Sequence, residues 1–129
     1  MKRLLIASVL FSNWLVANQN QYSSGYQQCI DNSGGVTVAI RTCEKRELKY
    51  QDALLNSNYK EAMGLLSTEQ KKELKQAQRL WIKYRDKNCG LLFGLTGGSM
   101  DILNGDSCYV DMTARRAMEL EEIIQLRGE

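Results

Sequence analysis

A long stretch without helix breakers places the strongest constraint on the fold of this chain. From Thr37 to Met63 the sequence contains no glycine, and proline is absent from all 129 residues. Apolar residues recur in this stretch at spacings of three or four, which is the period of an amphipathic helix. The stripe expected to face a partner helix is Leu48, Asp52, Leu55, Tyr59, Ala62 and Leu66. The sequence therefore predicts an all-α fold.

A second helix is predicted directly after the first. In Ser67-Thr68-Glu69-Gln70 the Ser67 hydroxyl can accept from the Gln70 amide while the Gln70 side chain reaches back, which is a capping box. This helix is expected to end near Cys89-Gly90. Its predicted inner stripe is Leu74, Ala77, Gln78, Trp81, Arg85 and Asn88. Because the connection is short, the two helices should form an antiparallel hairpin.

The segment from Gly90 to Asp106 contains five glycines and is predicted to be a loop. Its many apolar residues favour a loop that folds back, at least in part, on the hairpin. Asp106 or Ser107 can cap a third helix that runs from Cys108 to about Leu126. The predicted inner face of that helix is Tyr109, Met112, Arg116, Leu120 and Ile123.

The first residues have the composition of a secretory signal peptide. Met1-Lys2-Arg3 precedes an apolar run that ends near Ala17 and is too short to span a bilayer. The predicted organisation is a signal peptide over 1–17, a flexible segment over 18–25 and one helical domain over 26–127, which opens with a short helix. Such a protein would be periplasmic or secreted from a bacterium.

The charge balance argues against two classes of partner. When Lys2 and Arg3 leave with the signal peptide, the 17 basic residues fall to 15, which equals the 15 acidic ones. A nucleic-acid binder or a polybasic membrane binder would be expected to carry a basic excess. We therefore expect neither nucleic acid nor, after cleavage, a membrane as partner.

All four cysteines, Cys29, Cys43, Cys89 and Cys108, lie in the predicted mature part. An even number in an exported chain indicates two disulfides. Zinc is disfavoured because the chain has no histidine and no close CxxC pair, and no cofactor is expected. Local pairing of Cys29 with Cys43 and of Cys89 with Cys108 is favoured. The alternative pairs Cys43 with Cys89 and Cys29 with Cys108, because Cys43 and Cys89 are nearly equidistant from the hairpin turn.

The absence of histidine also removes the commonest general base and nucleophile pairs, so we do not expect an enzyme. A paired-carboxylate glycosidase remains open in principle. We interpret the polar residues on the apolar stripes as a structural network that fixes helix register, because buried charges persist only when they are paired. This predicted network consists of Asp52, Gln78, Arg85, Asp86 and Arg116.

The glycines of the predicted loop indicate a partner-binding element. Glycine permits backbone conformations and close approaches that a helix cannot offer. The candidate binding residues are Gly97, Gly98, Ser99, Met100 and Asp101. Asp101, Asp106 and Asp111 could form an acidic patch that attracts a basic partner.

The order of these residues resembles the LprI-type lysozyme-inhibitor family, formerly a domain of unknown function. The resemblance covers about Cys29 to Leu126. It is carried by Gln51-Asp52-Ala53-Leu54-Leu55-Asn56, Ala77-Gln78-Arg79-Leu80-Trp81, Tyr84-Arg85-Asp86-Lys87-Asn88-Cys89 and Gly97-Gly98-Ser99. It implies an exported helical domain with paired cysteines that binds a protein, with a lysozyme as the expected partner.

Two functional hypotheses follow from the sequence. The leading one is an inhibitor whose loop around Gly97 to Met100 blocks the sugar groove of a lysozyme. The alternative is a periplasmic structural or assembly module that binds a different protein. The sequence does not determine the oligomeric state.

Overall fold

The computed structural model describes residues 21–128, and within them the regular elements are four α-helices. The helices are α1 Tyr26–Asn32, α2 Thr37–Leu65, α3 Thr68–Leu92 and α4 Asp101–Gly128. This confirms the all-α prediction. The predicted signal peptide lies outside the described residues. None of the helices within 21–128 has the length and apolarity that crossing a membrane requires.

The turn between α2 and α3 consists of Leu66 and Ser67, both in extended conformation. The Ser67 hydroxyl accepts from the Gln70 amide at 3.3 Å, and the Gln70 side chain accepts from the Ser67 amide at 3.0 Å. The predicted capping box is therefore confirmed. The chain reverses here, so α3 runs antiparallel to α2.

Helix α4 packs against both arms of this hairpin. Arg41 near the start of α2 pairs with Asp106 at 2.6 Å, and Arg127 near the end of α4 donates to the carbonyl of Leu65 at 3.4 Å. Because the contacts advance together along the two helices, α4 runs parallel to α2 and antiparallel to α3. The backbones of α2 and α3 approach α4 more closely than they approach each other.

The apolar core lies where the three long helices meet. Small side chains on α4 allow the close approach, since Ala114 and Ala117 are completely buried. Asn58 on α2 donates to the carbonyl of Ala117 at 2.9 Å. The buried apolar cluster is Leu55, Ala62, Leu74, Ala117 and Leu120.

The buried face of α2 differs from the predicted stripe. Leu55 and Ala62 are buried as expected, whereas Leu48 and Asp52 are only partly buried. The positions that replace them are polar, namely Glu44, Glu47, Gln51 and Asn58. The physical reason is that each of these side chains forms at least one hydrogen bond with another segment, which a pattern based on hydropathy cannot reveal.

The N-terminal segment supplies several of these hydrogen-bond partners. Ser23 donates through its amide to Glu47 at 2.8 Å, and its hydroxyl also bonds that carboxylate. Gln51 donates to the carbonyl of Gln21 at 2.8 Å, and the Tyr22 hydroxyl donates to Asp111 at 2.6 Å. Residues 21–25, part of the segment predicted to be flexible, are therefore bonded to α2 and α4.

Two disulfides join neighbouring helices. Cys29 of α1 pairs with Cys43 of α2 at a Cα–Cα distance of 5.8 Å, and Cys89 of α3 pairs with Cys108 of α4 at 5.4 Å. This is the local pairing that the sequence favoured. Both bridges lie at the end of the bundle where Arg41 meets Asp106.

The predicted start of the last helix was wrong. Helix α4 begins at Asp101 rather than at Asp106 or Ser107, and α3 continues to Leu92. The irregular connection is only 93–100. Gly105 lies inside this helix, where the missing side chain leaves room for the Phe93 ring. At this position the glycine therefore serves packing rather than a turn.

The inner face of α3 differs from the predicted stripe at one position. Ala77, which was placed on that stripe, is exposed.

Candidate functional site

The loop between α3 and α4, residues 93–100, is fixed from inside by one carboxylate. Asp101 accepts hydrogen bonds from the Thr96 hydroxyl at 2.7 Å, the Thr96 amide at 3.0 Å and the Gly97 amide at 2.9 Å. The Thr96 hydroxyl is the main reason that the pKa of Asp101 lies below its ordinary value. A charged carboxylate with three donors gives the loop one defined shape.

Aromatic packing holds the start of the same loop. The Phe93 ring lies so close to Gly105 that a Cβ added there would be 2.6 Å from its carbon atoms. The ring centroid of Phe93 is also 6.3 Å from that of Tyr109, one turn further along α4. Gly97 has a φ of 75°, a conformation that only glycine adopts readily.

Three apolar side chains of this region face solvent. Leu91 is 62% exposed, Leu95 57% and Met100 59%. The segment from Gly90 to Asp106 was expected to fold back at least in part, and Leu103 is indeed buried, whereas these three side chains are not. We call Leu91, at the end of α3, together with Leu95 and Met100 of the loop, the apolar loop surface. Exposed apolar side chains on a fixed backbone are available for contact with a partner.

The predicted binding residues have two different places in this arrangement. Gly97, Gly98, Ser99 and Met100 are exposed on the loop. Asp101 is only 3% exposed and supports the loop from within. The sequence identified the loop through its glycines, but the anchors Phe93 and Thr96 carry no signal that a single sequence reveals.

The predicted acidic patch does not exist as a set of free carboxylates. Asp101 is bonded within the loop, Asp106 pairs with Arg41, and Asp111 accepts from Tyr22. Burial and the hydrogen bond to Asp111 raise the pKa of Tyr22 to about 12, so this tyrosine remains a neutral donor at physiological pH. The three charges therefore serve internal contacts.

The predicted polar network falls into two groups, of which the first is centred on Arg85. Its guanidinium contacts Asp86 at 3.1 Å, the Thr113 hydroxyl at 3.3 Å and Asp52 at 3.7 Å. It also lies over two aromatic rings, 5.0 Å from Trp81 and 5.2 Å from Tyr109. Arg85 thus links all three long helices.

The second group joins α3 to α4 through Arg116. Its Nε donates to Gln78 at 2.9 Å, and its Nη1 pairs with Glu119 at 2.7 Å. The sequence did not identify Thr113 or Glu119 as partners of the two arginines. Position alone suggests Glu119, since it lies three residues after Arg116 on the same helix.

A groove of about 350 Å³ lies between α2 and α3, because α4 separates the backbones of these helices. Burial raises the pKa of Asp52 in this groove, and the charge of Arg85 partly opposes that effect. Among the described residues, Arg85 is the only cationic side chain within 4.0 Å of the Asp52 carboxylate, at a distance of 3.7 Å. The lining residues are Asp52, Leu55, Asn56, Tyr59, Lys75, Gln78, Arg79, Trp81, Ile82 and Arg85.

A buried polar cluster under the N-terminal segment was missed by the sequence reasoning. Burial raises the pKa of Glu44, and the charges of Asp106 and Asp111 act in the same direction, while a hydrogen bond from Ser107 opposes them. Within residues 21–128, Glu44 Oε2 and Gln51 Oε1 are buried without a hydrogen-bond partner. The available signal was the spacing of Glu44, Glu47 and Gln51, which continues the period of Leu55 and Ala62.

Metal binding finds no ready site in this part of the chain. Among the residues that the structure describes, no three His, Cys, Asp or Glu side chains are grouped as a metal site would require. The described surface offers apolar contacts at the loop and hydrogen-bonding and charged groups at the groove.

Comparison with known proteins identifies the family. The chain is 30% identical to an uncharacterized protein of Rhizobium meliloti (strain 1021), over 67% of this chain and 72% of the relative. It is 35% identical to the uncharacterized protein YecT of Escherichia coli (strain K12), over 52% of this chain and 48% of that protein. No solved structure matches. The family model described as lysozyme inhibitor LprI matches residues 29–120, and the chain therefore belongs to this family.

Proposed function

We propose that this protein is exported to the bacterial periplasm or beyond and inhibits a lysozyme by inserting the loop 93–100 into the sugar groove of the enzyme. The observation that carries the proposal is the apolar loop surface, which faces solvent on a backbone fixed by Asp101 and by the Cys89–Cys108 bridge. The family description supports a lysozyme as the target.

The loop is suited to binding because little of its freedom remains to be lost. Ordering a flexible side chain at an interface costs about 0.5–1.5 kcal/mol, and ordering a flexible backbone adds to this. Burying a Leu or Met side chain contributes about 1.5–3 kcal/mol when it goes from full exposure to full burial. The side chains of the apolar loop surface, each more than half exposed, are therefore expected to supply the main favourable contribution.

The test uses purified protein with lysozymes of several types and follows lysis of cell-wall suspensions. The double variant Leu95→Ser/Met100→Ser is expected to raise the concentration needed for half-inhibition at least about tenfold, because burying each of these half-exposed side chains would contribute about 1 kcal/mol. Both side chains are exposed, so the fold should be retained.

Leu126→Ser provides a matched control. Leu126 is 75% exposed and lies on α4 about 38 Å along the helix axis from Asp101. It should leave inhibition unchanged. Equal inhibition by the loop variant and the parent protein would exclude the loop as the inhibitory element. If the parent protein inhibits no lysozyme, the proposal is refuted and the alternative of an envelope assembly module is favoured.

A further inference from the structure

We infer that the groove between α2 and α3 is a second binding site, distinct from the loop, for a small acidic N-acylated sugar. The groove has a volume of about 350 Å³, which lies within the range of small-ligand pockets and can hold one substituted sugar ring. This inference does not depend on lysozyme inhibition, since no residue of the loop lines the groove.

The groove contains hydrogen-bonding groups that the described residues leave unused. Asp52 has only the 3.7 Å ionic contact to Arg85, which is too long for a hydrogen bond. Gln78 uses its oxygen for Arg116, while its amide nitrogen keeps access to solvent and has no partner within residues 21–128. Asp52 can accept from sugar hydroxyl and N–H groups, and Gln78 can donate to hydroxyl or acyl oxygens. The groove thus offers both a hydrogen-bond acceptor and a hydrogen-bond donor to a sugar.

The charges of the groove select an acidic ligand. Lys75 and Arg79 line it, and neither lies within 4.0 Å of a carboxylate among the described residues. Arg85 is already paired with Asp86 and Asp52, so the positive charge that remains available in the groove is that of Lys75 and Arg79. A ligand carboxylate would meet Lys75 and Arg79 at little desolvation cost, because both side chains are exposed.

Apolar and aromatic side chains complete the walls of the groove. Trp81 and Tyr59 are partly buried, and Leu55 and Ile82 lie beside them. The C–H groups of a sugar ring and the methyl of an acyl substituent can pack on such a wall. A purely apolar acid would leave Asp52 and Gln78 without partners, which disfavours a fatty acid.

The test is an NMR titration of the purified protein with N-acetylmuramic acid, with N-acetylglucosamine as the matched probe that lacks the carboxylate. We expect saturable shifts of the Trp81 indole N–H and of the Gln78 side-chain amide with the acidic sugar, and at least about tenfold weaker binding of the neutral one. Loop variant Leu95→Ser/Met100→Ser should bind the acidic sugar as the parent does.

Variants separate the groove from general charge. Lys75→Gln/Arg79→Gln should weaken binding of N-acetylmuramic acid about tenfold, whereas Lys83→Gln/Lys87→Gln removes the same charge from exposed positions of α3 outside the groove and should have no effect. Asp52→Asn should weaken both sugars and still fold, since the Asp52 side chain is 48% exposed and Arg85 keeps its contacts with Asp86 and Thr113. The inference is overturned if no probe gives saturable shifts or if the two sugars bind equally. It is also overturned if Lys75→Gln/Arg79→Gln and Lys83→Gln/Lys87→Gln change the binding of N-acetylmuramic acid to the same extent.

Discussion

Gly105 determines where the Phe93 ring can lie, and through it the position of the loop. Gly105→Ala would place a methyl group 2.6 Å from the ring, and such overpacking costs about 1–3 kcal/mol, while the better helix propensity of alanine returns up to about 1 kcal/mol. We expect a net loss of about 1 kcal/mol in the free energy of unfolding and faster proteolysis within 93–100. Gly90→Ala is the control, because open space surrounds that position.

Glu44 is expected to make stability depend on pH. Its folded pKa lies above the ordinary value of 4.5, so the folded state binds the proton more tightly than the unfolded chain does. This contribution is fully present below about pH 4.5 and is lost as the pH rises through the folded pKa. Glu44→Gln should therefore be more stable than the parent at pH 7, and the difference should disappear toward pH 4.5.

Urea unfolding of both proteins across this pH range measures the effect directly. Glu61→Gln, an exposed change on the same helix, serves as the control. If the difference in the free energy of unfolding between Glu44→Gln and the parent stays constant with pH, the raised pKa of Glu44 in the folded state is contradicted.

At the level of helices and their connections, the two disulfides are expected to have equal effects on stability and unequal effects on function. They close separations of 14 and 19 residues, for which loop-closure entropy predicts about 3 kcal/mol each. Replacing Cys89 and Cys108 by serine should reduce inhibition strongly, since that bridge lies beside the loop. Replacing Cys29 and Cys43 should lower the unfolding midpoint similarly and leave inhibition by the remaining folded protein unchanged.

The helices themselves were largely predictable, because their signals are local. These signals are the absence of glycine from Thr37 to Met63, the capping box at Ser67 and the spacing of three or four between apolar residues. The start of α4 was not, since a glycine that provides space for Phe93 has the same appearance in sequence as a glycine that ends a helix. The inner face of α2 was also misplaced. Its buried Glu47 is stabilised by Ser23, 24 residues away, and such long-range donors leave no periodic trace.

At the scale of the whole molecule, charge is expected to contribute little to target binding. Asp106 is neutralised by Arg41, Asp101 is buried, and Asp111 is hydrogen-bonded to Tyr22, while the apolar loop surface itself carries no charge. Inhibition should therefore change less than about threefold between 50 and 300 mM salt, whereas steered association falls steeply over this range. A steep dependence in the lysis assay would indicate that a charged surface elsewhere contacts the enzyme.

The candidate sites were predictable to different degrees. The loop could be located from Gly97 and Gly98, but its shape depends on the Asp101 hydrogen bonds, which form only once the chain has folded. The groove residues Asp52, Gln78 and Arg85 were recognised as a polar set. That they line an open groove follows from the position of α4 between the hairpin arms, which no local pattern encodes.

Both sulfur bridges lie at one end of the bundle, and the opposite end, around Leu66 and Ser67, is held by noncovalent contacts alone within the described residues. Opening should therefore begin at that distant tip and travel toward the bridges. Amide hydrogens near the tip would exchange with solvent first, and those beside Cys89 and Cys108 last. A partly unfolded molecule would then still present its loop. Local unfolding at the Leu66–Ser67 end would therefore leave target binding at the other end of the bundle intact.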